Sequence, residues 1–198
     1  MRPRQDPTAW SRRPLCRHYV LAIFDTATIR FRHADDISER SVHWATGCLP
    51  DGDSEPLGVW ITPAVGGDCS SCVVADLQWR GVERIWHVTG GDAGSVPAAV
   101  AEAFSRTSVF SSNDRPGSEA GAAARERLPS AAELAAERVR NELIRALRRH
   151  GSFENEGAAL DFISGALQRT ERRLDRESAI AKGRPRHRSG AQTVPPGF

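Results

Sequence analysis

The residues of this sequence best suited to chemistry are three cysteines and a histidine that lie within thirty positions. Cys69 and Cys72 form the only CxxC among the 198 residues, and His43 and Cys48 lie upstream. Tetrahedral zinc takes four thiolate or imidazole ligands, often from a CxxC turn and a second pair elsewhere. We therefore predict a structural Cys₃His zinc site, made by His43, Cys48, Cys69 and Cys72, that stabilises a small β domain.

The surroundings of the CxxC favour this structural interpretation over a redox one. A Gly-Gly-Asp turn precedes Cys69, and the apolar Val73-Val74 predicts a strand after Cys72, a setting that resembles a zinc-ribbon knuckle. A reactive dithiol usually lies at a helix N-terminus, where the helix dipole lowers the thiol pKa. A further alternative is that Cys48 and Cys72 are ordinary buried thiols and His43 is a surface residue.

Cysteine number argues against a disulfide scaffold. Four cysteines, with Cys16 standing alone, do not make the framework of a small secreted protein. Reduced thiols in a cytoplasmic protein fit better. Ser11-Arg12-Arg13 resembles a twin-arginine export signal, but the apolar run that follows ends at Asp25 and is too short.

A basic segment near the C-terminus suggests a second function. Residues 182–198 contain four basic residues and no acid: Lys182, Arg184, Arg186 and Arg188. The segment 182–188 resembles an AT-hook, whose Gly-Arg-Pro core lies in the minor groove of DNA, and this resemblance implies DNA or RNA as a partner through mostly non-specific attraction to phosphate. The alternative is a solvated tail without a fixed partner.

No catalytic motif stands out. Thr89–Ser95 contains three glycines between a predicted strand and a predicted helix, where backbone amides could hold an anion, although the glycine spacing fits neither a Walker loop nor a dinucleotide fingerprint. A plain turn is the better interpretation. The candidate acid–base residues are Asp35, Asp36, Glu83, His87 and Asp92, and none belongs to a recognisable catalytic pattern.

The elements that would position these residues predict an α+β fold. Strands are expected from His18 to Phe24 and from Thr28 to His33, with Asp25-Thr26-Ala27 as a turn, and then over Leu57–Val65. Two further strands, Cys72–Trp79 and Glu83–Thr89, would form a hairpin. The sequence also predicts a short helix over Asp35–Ala45 and another over Val96–Arg106 that Ser95 would cap.

Beyond residue 129 the apolar pattern becomes helical. Ser130 and Glu133 form a capping box, apolar residues follow at three- and four-residue spacing, and Gly151 is placed to end the helix. A second apolar stripe contains Leu160, Ile163 and Leu167. We predict an antiparallel αα-hairpin that docks on the β domain or on a second copy, so a homo-oligomer or a protein partner through residues 130–181 is expected.

The predicted organisation has five parts. These are a flexible N-terminal arm (1–17), an α+β domain (18–106), a linker (107–129), the helical hairpin (130–181) and a disordered basic tail (182–198). No segment reaches the ~18 apolar residues of a membrane span. The predicted function is a non-enzymatic, nucleic-acid-associated or regulatory protein; the alternatives are a protein–protein assembly module acting through the hairpin and a small nucleotide-binding enzyme or hydrolase.

Overall fold

A computed structural model of the chain describes residues 10–33, 36–64, 67–90, 93–104, 108–110, 130–181 and 183. Six strands and four helices are present in these ranges. The strands are β1 (His18–His33), β2 (Asp36–Cys48), β3 (Ser54–Ile61), β4 (Arg84–Gly90), β5 (Ser108–Phe110) and β6 (Ser152–Phe153). The helices are α1 (Ser70–Trp79), α2 (Val96–Ala103), α3 (Ser130–His150) and α4 (Glu156–Ala181).

The strands form one sheet in the order β3-β2-β1-β4-β5, with β6 pairing a separate part of β1. Strands β1 and β2 make a long antiparallel hairpin, from Leu21 opposite Cys48 to His33 opposite Asp36, and β3 continues it antiparallel. Strands β4 and β5 are parallel to β1. The predicted α+β class, a mostly antiparallel sheet followed by helices, is confirmed. Strand β1 is the point where antiparallel pairing changes to parallel pairing.

Each face of the sheet is covered by a pair of helices. On one face, α1 and α2 pack through Val73, Leu77 and Val100 against sheet residues that include Phe24. On the other, α3 and α4 pack through residues such as Leu143 and Ile163 against sheet residues that include Phe31 and Trp44. Burial of these apolar side chains is the main favourable contribution to folding. The helical hairpin therefore docks on the sheet.

Three predicted elements differ from the structure. Asp25-Thr26-Ala27 is not a turn, because β1 runs through it without interruption. From Asp36 onward, the segment predicted as a helix over Asp35–Ala45 is strand β2, since pairing with β1 on one side and β3 on the other outweighs its weak local preference. Cys72–Trp79, predicted as a strand, belongs to α1. The chain then enters β4, which pairs parallel with β1, so Cys72–Trp79 and Glu83–Thr89 do not form the predicted hairpin.

The predicted helical hairpin is present, and its first helix ends where Gly151 predicts. Helix α3 ends at His150, Gly151 adopts a left-handed φ of 83°, and its amide donates to the Leu147 carbonyl at 3.0 Å. This is the C-terminal capping arrangement that glycine favours. The turn directs the chain into β6, where Ser152 and Phe153 lie beside Arg30 and Phe31 of β1.

The segment before β1 is held against the rest of the molecule by polar contacts. The Trp10 indole donates to the buried Glu171 carboxylate of α4 at 2.7 Å, and Arg13 contacts the same carboxylate at 3.1 Å. The Leu15 amide donates to the carbonyl of Arg80 at 2.9 Å. These contacts connect the N-terminal segment both to α4 and to the end of α1.

The domain boundaries stay a prediction. Most of the predicted linker, 107–129, lies outside the described residues, and its residues 108–110 form β5. Among the described helices, none has both the length and the apolar character that crossing a membrane requires.

Candidate active site on the central strand

An aspartate lies at the centre of the sheet, on the face covered by α3 and α4. Asp25 follows Phe24, which is opposite Gly90, the last residue of β4, so Asp25 is the first β1 residue past the carboxyl end of its parallel neighbour. In sheets with parallel strands, ligands commonly bind in the crevice outside the strand carboxyl ends. The side chain of Asp25 is 15% exposed. A carboxyl group that is this buried and this central requires an explanation.

The surroundings of Asp25 oppose its ionisation. Burial raises the pKa of Asp25 above its ordinary value of 3.8, while the guanidinium of Arg140, on α3, favours the charged form and lowers the pKa. The Arg140 Nη1 atom lies 3.7 Å from an Asp25 carboxylate oxygen. Side chains two positions away on either side, Ile23 and Ala27, pack into the apolar clusters of this face. A partly desolvated carboxyl beside one cation is typical of functional sites as well as of structural ion pairs.

Two buried polar groups on the neighbouring strand add to this environment. Trp44 is opposite Asp25 in the β1–β2 register, and Thr46 is opposite Ile23. Within the described part of the chain, the Trp44 Nε1 and Thr46 Oγ1 atoms are buried and have no hydrogen-bond partner. Because an unpaired buried donor is costly, such groups need an explanation, and a functional role is one of the accepted ones. The unpaired groups and the buried carboxyl occupy adjacent positions of the same two strands.

Sequence reasoning missed Asp25 because the residue was assigned to a turn. The signal that could have identified it is a single acidic residue between two apolar stretches. The apolar run Val20–Phe24 precedes Asp25, and apolar alternation resumes at Ile29. A charged residue inside a continuous buried strand is unusual unless it is paired. Arg140 had no such signal, since it is one of many arginines along α3.

The four residues of the predicted zinc site are divided between two faces of the sheet. His43 is 92% buried and its Nε2 atom lies 3.2 Å from the Thr62 hydroxyl. That hydroxyl also hydrogen-bonds the Cys69 thiol, so Thr62 links His43 to Cys69. Cys48 packs instead with Leu21 and Ala132 of α3, in a different cluster from Cys69, and Cys72 is exposed.

The predicted zinc site is therefore without support from the geometry. In the described ranges, which contain all four residues, no three or more His, Cys, Asp or Glu side chains are grouped so that they could hold a metal ion. Zinc binding by His43, Cys48, Cys69 and Cys72 stays a prediction, and the metal content of protein purified without chelator would test it.

The strand predicted after the CxxC is a helix, so its setting does not argue against redox chemistry there. Cys69 is the N-cap of α1 and Cys72 lies in its first turn, so the pair does begin a helix. Burial raises the pKa of the Cys69 thiol, against the hydrogen bond from Thr62, and this opposes formation of the thiolate. All four cysteines are free thiols.

Several other predicted residues lie outside the described part of the chain. They are Asp35 and Asp92 of the acid–base candidates, the middle of the turn Thr89–Ser95, and the basic residues Lys182, Arg184, Arg186 and Arg188. Of the others, Asp36 is exposed at the start of β2, Glu83 is half-exposed and pairs with Arg17 at 3.2 Å, and His87 lies on β4. None of these three contacts Asp25 in the β1–β2 or β1–β4 register.

Comparison with known proteins gives the class of this chain. Residues 4–111, more than half of the sequence, match the model of the family described as "Transposase, Mutator family". The chain therefore belongs to the Mutator family of transposases. The match includes β1 to β5 and so includes Asp25, while α3 and α4 follow it.

Individual relatives agree with the family match. The transposase of insertion sequence element ISRM3 from Rhizobium meliloti is 30% identical over 100 residues, which are 50% of this chain and 25% of that protein. A probable insertion-sequence transposase from Corynebacterium diphtheriae is 30% identical over 91 residues, 46% of this chain and 26% of that protein. The chain thus matches about a quarter of the length of these curated relatives.

One solved structure shows a distant likeness. A chain of the simian T-cell lymphotropic virus intasome, in complex with PP2A regulatory subunit B56 gamma, aligns with 95% of this chain and 64% of its own length, at 11% identity and a TM-score of 0.34. A score this low does not establish a shared fold.

The family membership corrects the predicted function. The prediction of a non-enzymatic regulatory protein is wrong, because the sequence matches a family of transposases and its insertion-sequence relatives. The two alternative functions, an assembly module and a small nucleotide-binding enzyme or hydrolase, give way to the same family match, while a homo-oligomer or protein partner through residues 130–181 stays a prediction. The misleading features were the CxxC and the tail, which are conspicuous in sequence, whereas the buried aspartate is not.

Proposed function

We propose that this chain is part of a transposase that cuts and joins DNA strands, with Asp25 in its reaction centre. The observation that carries the proposal is the buried carboxyl of Asp25, at the centre of the family-matched sheet and at the carboxyl end of β4. Membership of a transposase family supplies the class of reaction, and the position of Asp25 supplies the place. Since the chain corresponds to about a quarter of its relatives, segments beyond it would contribute in the complete enzymes.

The chemistry assigned to Asp25 is proton transfer. Cutting and joining a DNA strand replaces one phosphorus–oxygen bond with another, and the attacking hydroxyl of water or of a strand end must lose its proton. A carboxyl whose pKa is raised by burial is a better proton acceptor than one at its ordinary value. In this step the proton passes to Asp25, the new phosphorus–oxygen bond forms, and the leaving oxygen takes a proton from solvent.

Arg140 is placed to act on the phosphate. Its guanidinium lies 3.7 Å from the Asp25 carboxylate and is about half exposed, so a phosphate entering the site can reach it. A fixed cation beside the reacting phosphorus stabilises the charge that develops on the phosphate oxygens. Metal ions often serve phosphate chemistry in this way. Among the described residues, no group of three or more His, Cys, Asp or Glu side chains that could hold a metal ion lies at Asp25.

DNA as the partner follows from the same proposal. Transposases act on DNA, and the family match supports DNA rather than RNA. The predicted contribution of Lys182, Arg184, Arg186 and Arg188 stays a proposal that deletion of residues 182–198 tests. Loss of the tail should weaken DNA binding and reduce its salt dependence, because each phosphate contact releases counterions.

The test of the function is strand cutting by the purified 198-residue chain and its Asp25→Asn variant. The substrate is end-labelled duplex DNA taken from the borders of the element that encodes the chain, with magnesium or manganese present. Wild type should nick or join the duplex, and the variant should lose about 100-fold or more in rate, since general acid–base catalysis typically contributes about 100- to 10,000-fold. The Asp161→Asn variant, at an exposed position of α4, is the matched control and should keep its rate.

Two results would contradict the proposal. One is a rate for Asp25→Asn within a few-fold of wild type, with both proteins folded. The other is failure of the wild-type chain to cut or join DNA, both alone and after fusion to the remaining segments of a family member. DNA binding without strand cutting would not support the proposal, because the proposal concerns a reaction at Asp25.

A further inference from the structure

A groove continues from Asp25 along β1. On the edge of β1 that faces β4, pairing ends at Phe24 and resumes only at Arg30, where Ser152 of β6 lies alongside. The five residues between them, 25–29, have no strand on that edge among the described elements. Six residue steps of extended chain give this opening a length of about 20 Å.

Helix α3 forms the other side of the groove. A cavity of about 590 Å³ lies between β1 and the last turns of α3, and its lining includes Ala27, Ile29, Ile144, Leu147 and Arg148. The Gly151 turn and Phe153 close the far end. His150 stacks on the Phe153 ring with centroids 4.2 Å apart, and Phe162 of α4 packs against both rings. The far end is therefore held rigidly by an aromatic cluster.

The groove has an apolar floor and basic ends. Arg140 lies at the Asp25 end, and Arg148, eight residues later, lies on the same side of α3 about 12 Å further along the helix. Arg148 is exposed and has no ion-pair partner within the described ranges, whereas Arg30 on the opposite rim is paired with Glu39 at 2.8 Å. Of the two arginines that line the cavity, Arg148 is thus the one without an ion-pair partner among the described residues.

These features match the chemistry of a DNA strand. One strand of B-DNA presents a phosphate about every 3.4 Å of axis, so cations about 12 Å apart suit phosphates three or four nucleotides apart. Deoxyribose and bases offer apolar faces to Ile144 and the floor, and phosphates offer charge to arginine. A small anion would use only the arginines, and a purely apolar ligand would use only the floor.

We propose that this groove holds the sugar–phosphate backbone of the DNA strand next to the reacting phosphate, and that Arg148 contacts a phosphate three or four nucleotides from it. The proposal rests on the function proposed above, since Asp25 marks the position of the reacting phosphate. It goes further by assigning a path to the strand and a phosphate-binding residue to α3. Arg148 is a binding residue and takes no part in proton transfer.

The test is the salt dependence of DNA binding by Arg148→Gln. Binding of a fluorescent 30-base-pair duplex is followed by anisotropy between 50 and 400 mM KCl. Loss of one phosphate contact should reduce the slope of log K against log salt by about 0.9. For a variant that matches wild type at 1 M salt, this slope means about eightfold weaker binding than wild type at 100 mM. Arg84→Gln is the matched control, because Arg84 is exposed at the other end of β4 and pairs with His18 in register.

The outcomes separate the two proposals. An unchanged slope for Arg148→Gln, or an equal change for Arg84→Gln, would overturn the groove. Equal loss of affinity for an RNA duplex of the same sequence would overturn its assignment to DNA. Asp25→Asn that still cuts DNA, with the slope change of Arg148→Gln intact, would overturn only the role of Asp25. Circular dichroism of Arg148→Gln should match wild type, since an exposed side chain is removed.

Discussion

At the scale of single residues, Asp25 should make the stability of the protein depend on pH. Its folded-state pKa is raised above the ordinary 3.8 by burial. The folded state therefore holds the proton more tightly than the unfolded chain, and this contribution is fully present below pH 3.8 and is lost as pH rises through the folded-state pKa. Above that pKa the buried carboxylate is a net cost to the folded state.

Asp25→Asn should remove this cost. We expect the variant to be more stable than wild type at pH 7, with a difference that shrinks as pH falls towards 4. Thermal unfolding at a series of pH values measures the difference, and Asp161→Asn should show none of this trend. A difference that grows as pH falls would mean that Arg140 outweighs burial at this site. A protein stabilised by loss of a central carboxyl also fits a residue kept for function at a cost in stability.

At the scale of elements, the sequence predicts some parts well and others poorly for physical reasons. Helices α3 and α4 have long apolar stripes of helical period and a glycine stop at Gly151, so local signals agree with tertiary packing. Helix α1 is ten residues long, and its first apolar residues are the β-branched pair Val73-Val74, which favours a strand when judged locally. Strand β2 has little local preference and is formed by its two neighbours. Asp25 was missed for the same reason, since only the long β1–β2 register shows that β1 is continuous.

Two glycines of the helical hairpin should respond to alanine in opposite directions. Gly151→Ala should cost about 1–2 kcal/mol, because the left-handed φ of 83° is strained for a residue with a Cβ atom. Gly165→Ala, inside α4, should stabilise by about 0.5–1 kcal/mol, because alanine loses less backbone entropy there and its Cβ would meet only the Arg169 side chain at 3.5 Å. Urea unfolding compares both with wild type. Stabilisation by Gly151→Ala would show that the turn into β6 adopts another conformation in solution.

At the scale of the whole molecule, the sheet and the helical hairpin share one core, so they should unfold together. Leu167 of α4 is 1% exposed and belongs to the cluster that contains Phe31 and Trp44 of the sheet. Leu167→Ala should therefore cost about 2–5 kcal/mol and lower the unfolding midpoint of sheet and helices alike. Far-ultraviolet circular dichroism follows mainly the helices, and tryptophan fluorescence follows mainly the sheet, because three of the five tryptophans, Trp44, Trp60 and Trp86, lie in its strands. The two transitions should coincide in wild type and shift by the same amount in the variant, as expected for a single cooperative unit.

Leu134→Ala is the control, because Leu134 is 56% exposed on α3 and its truncation should cost little stability. If the helical transition moved alone, the hairpin would be a separate domain, and the groove between β1 and α3 would lack a fixed wall.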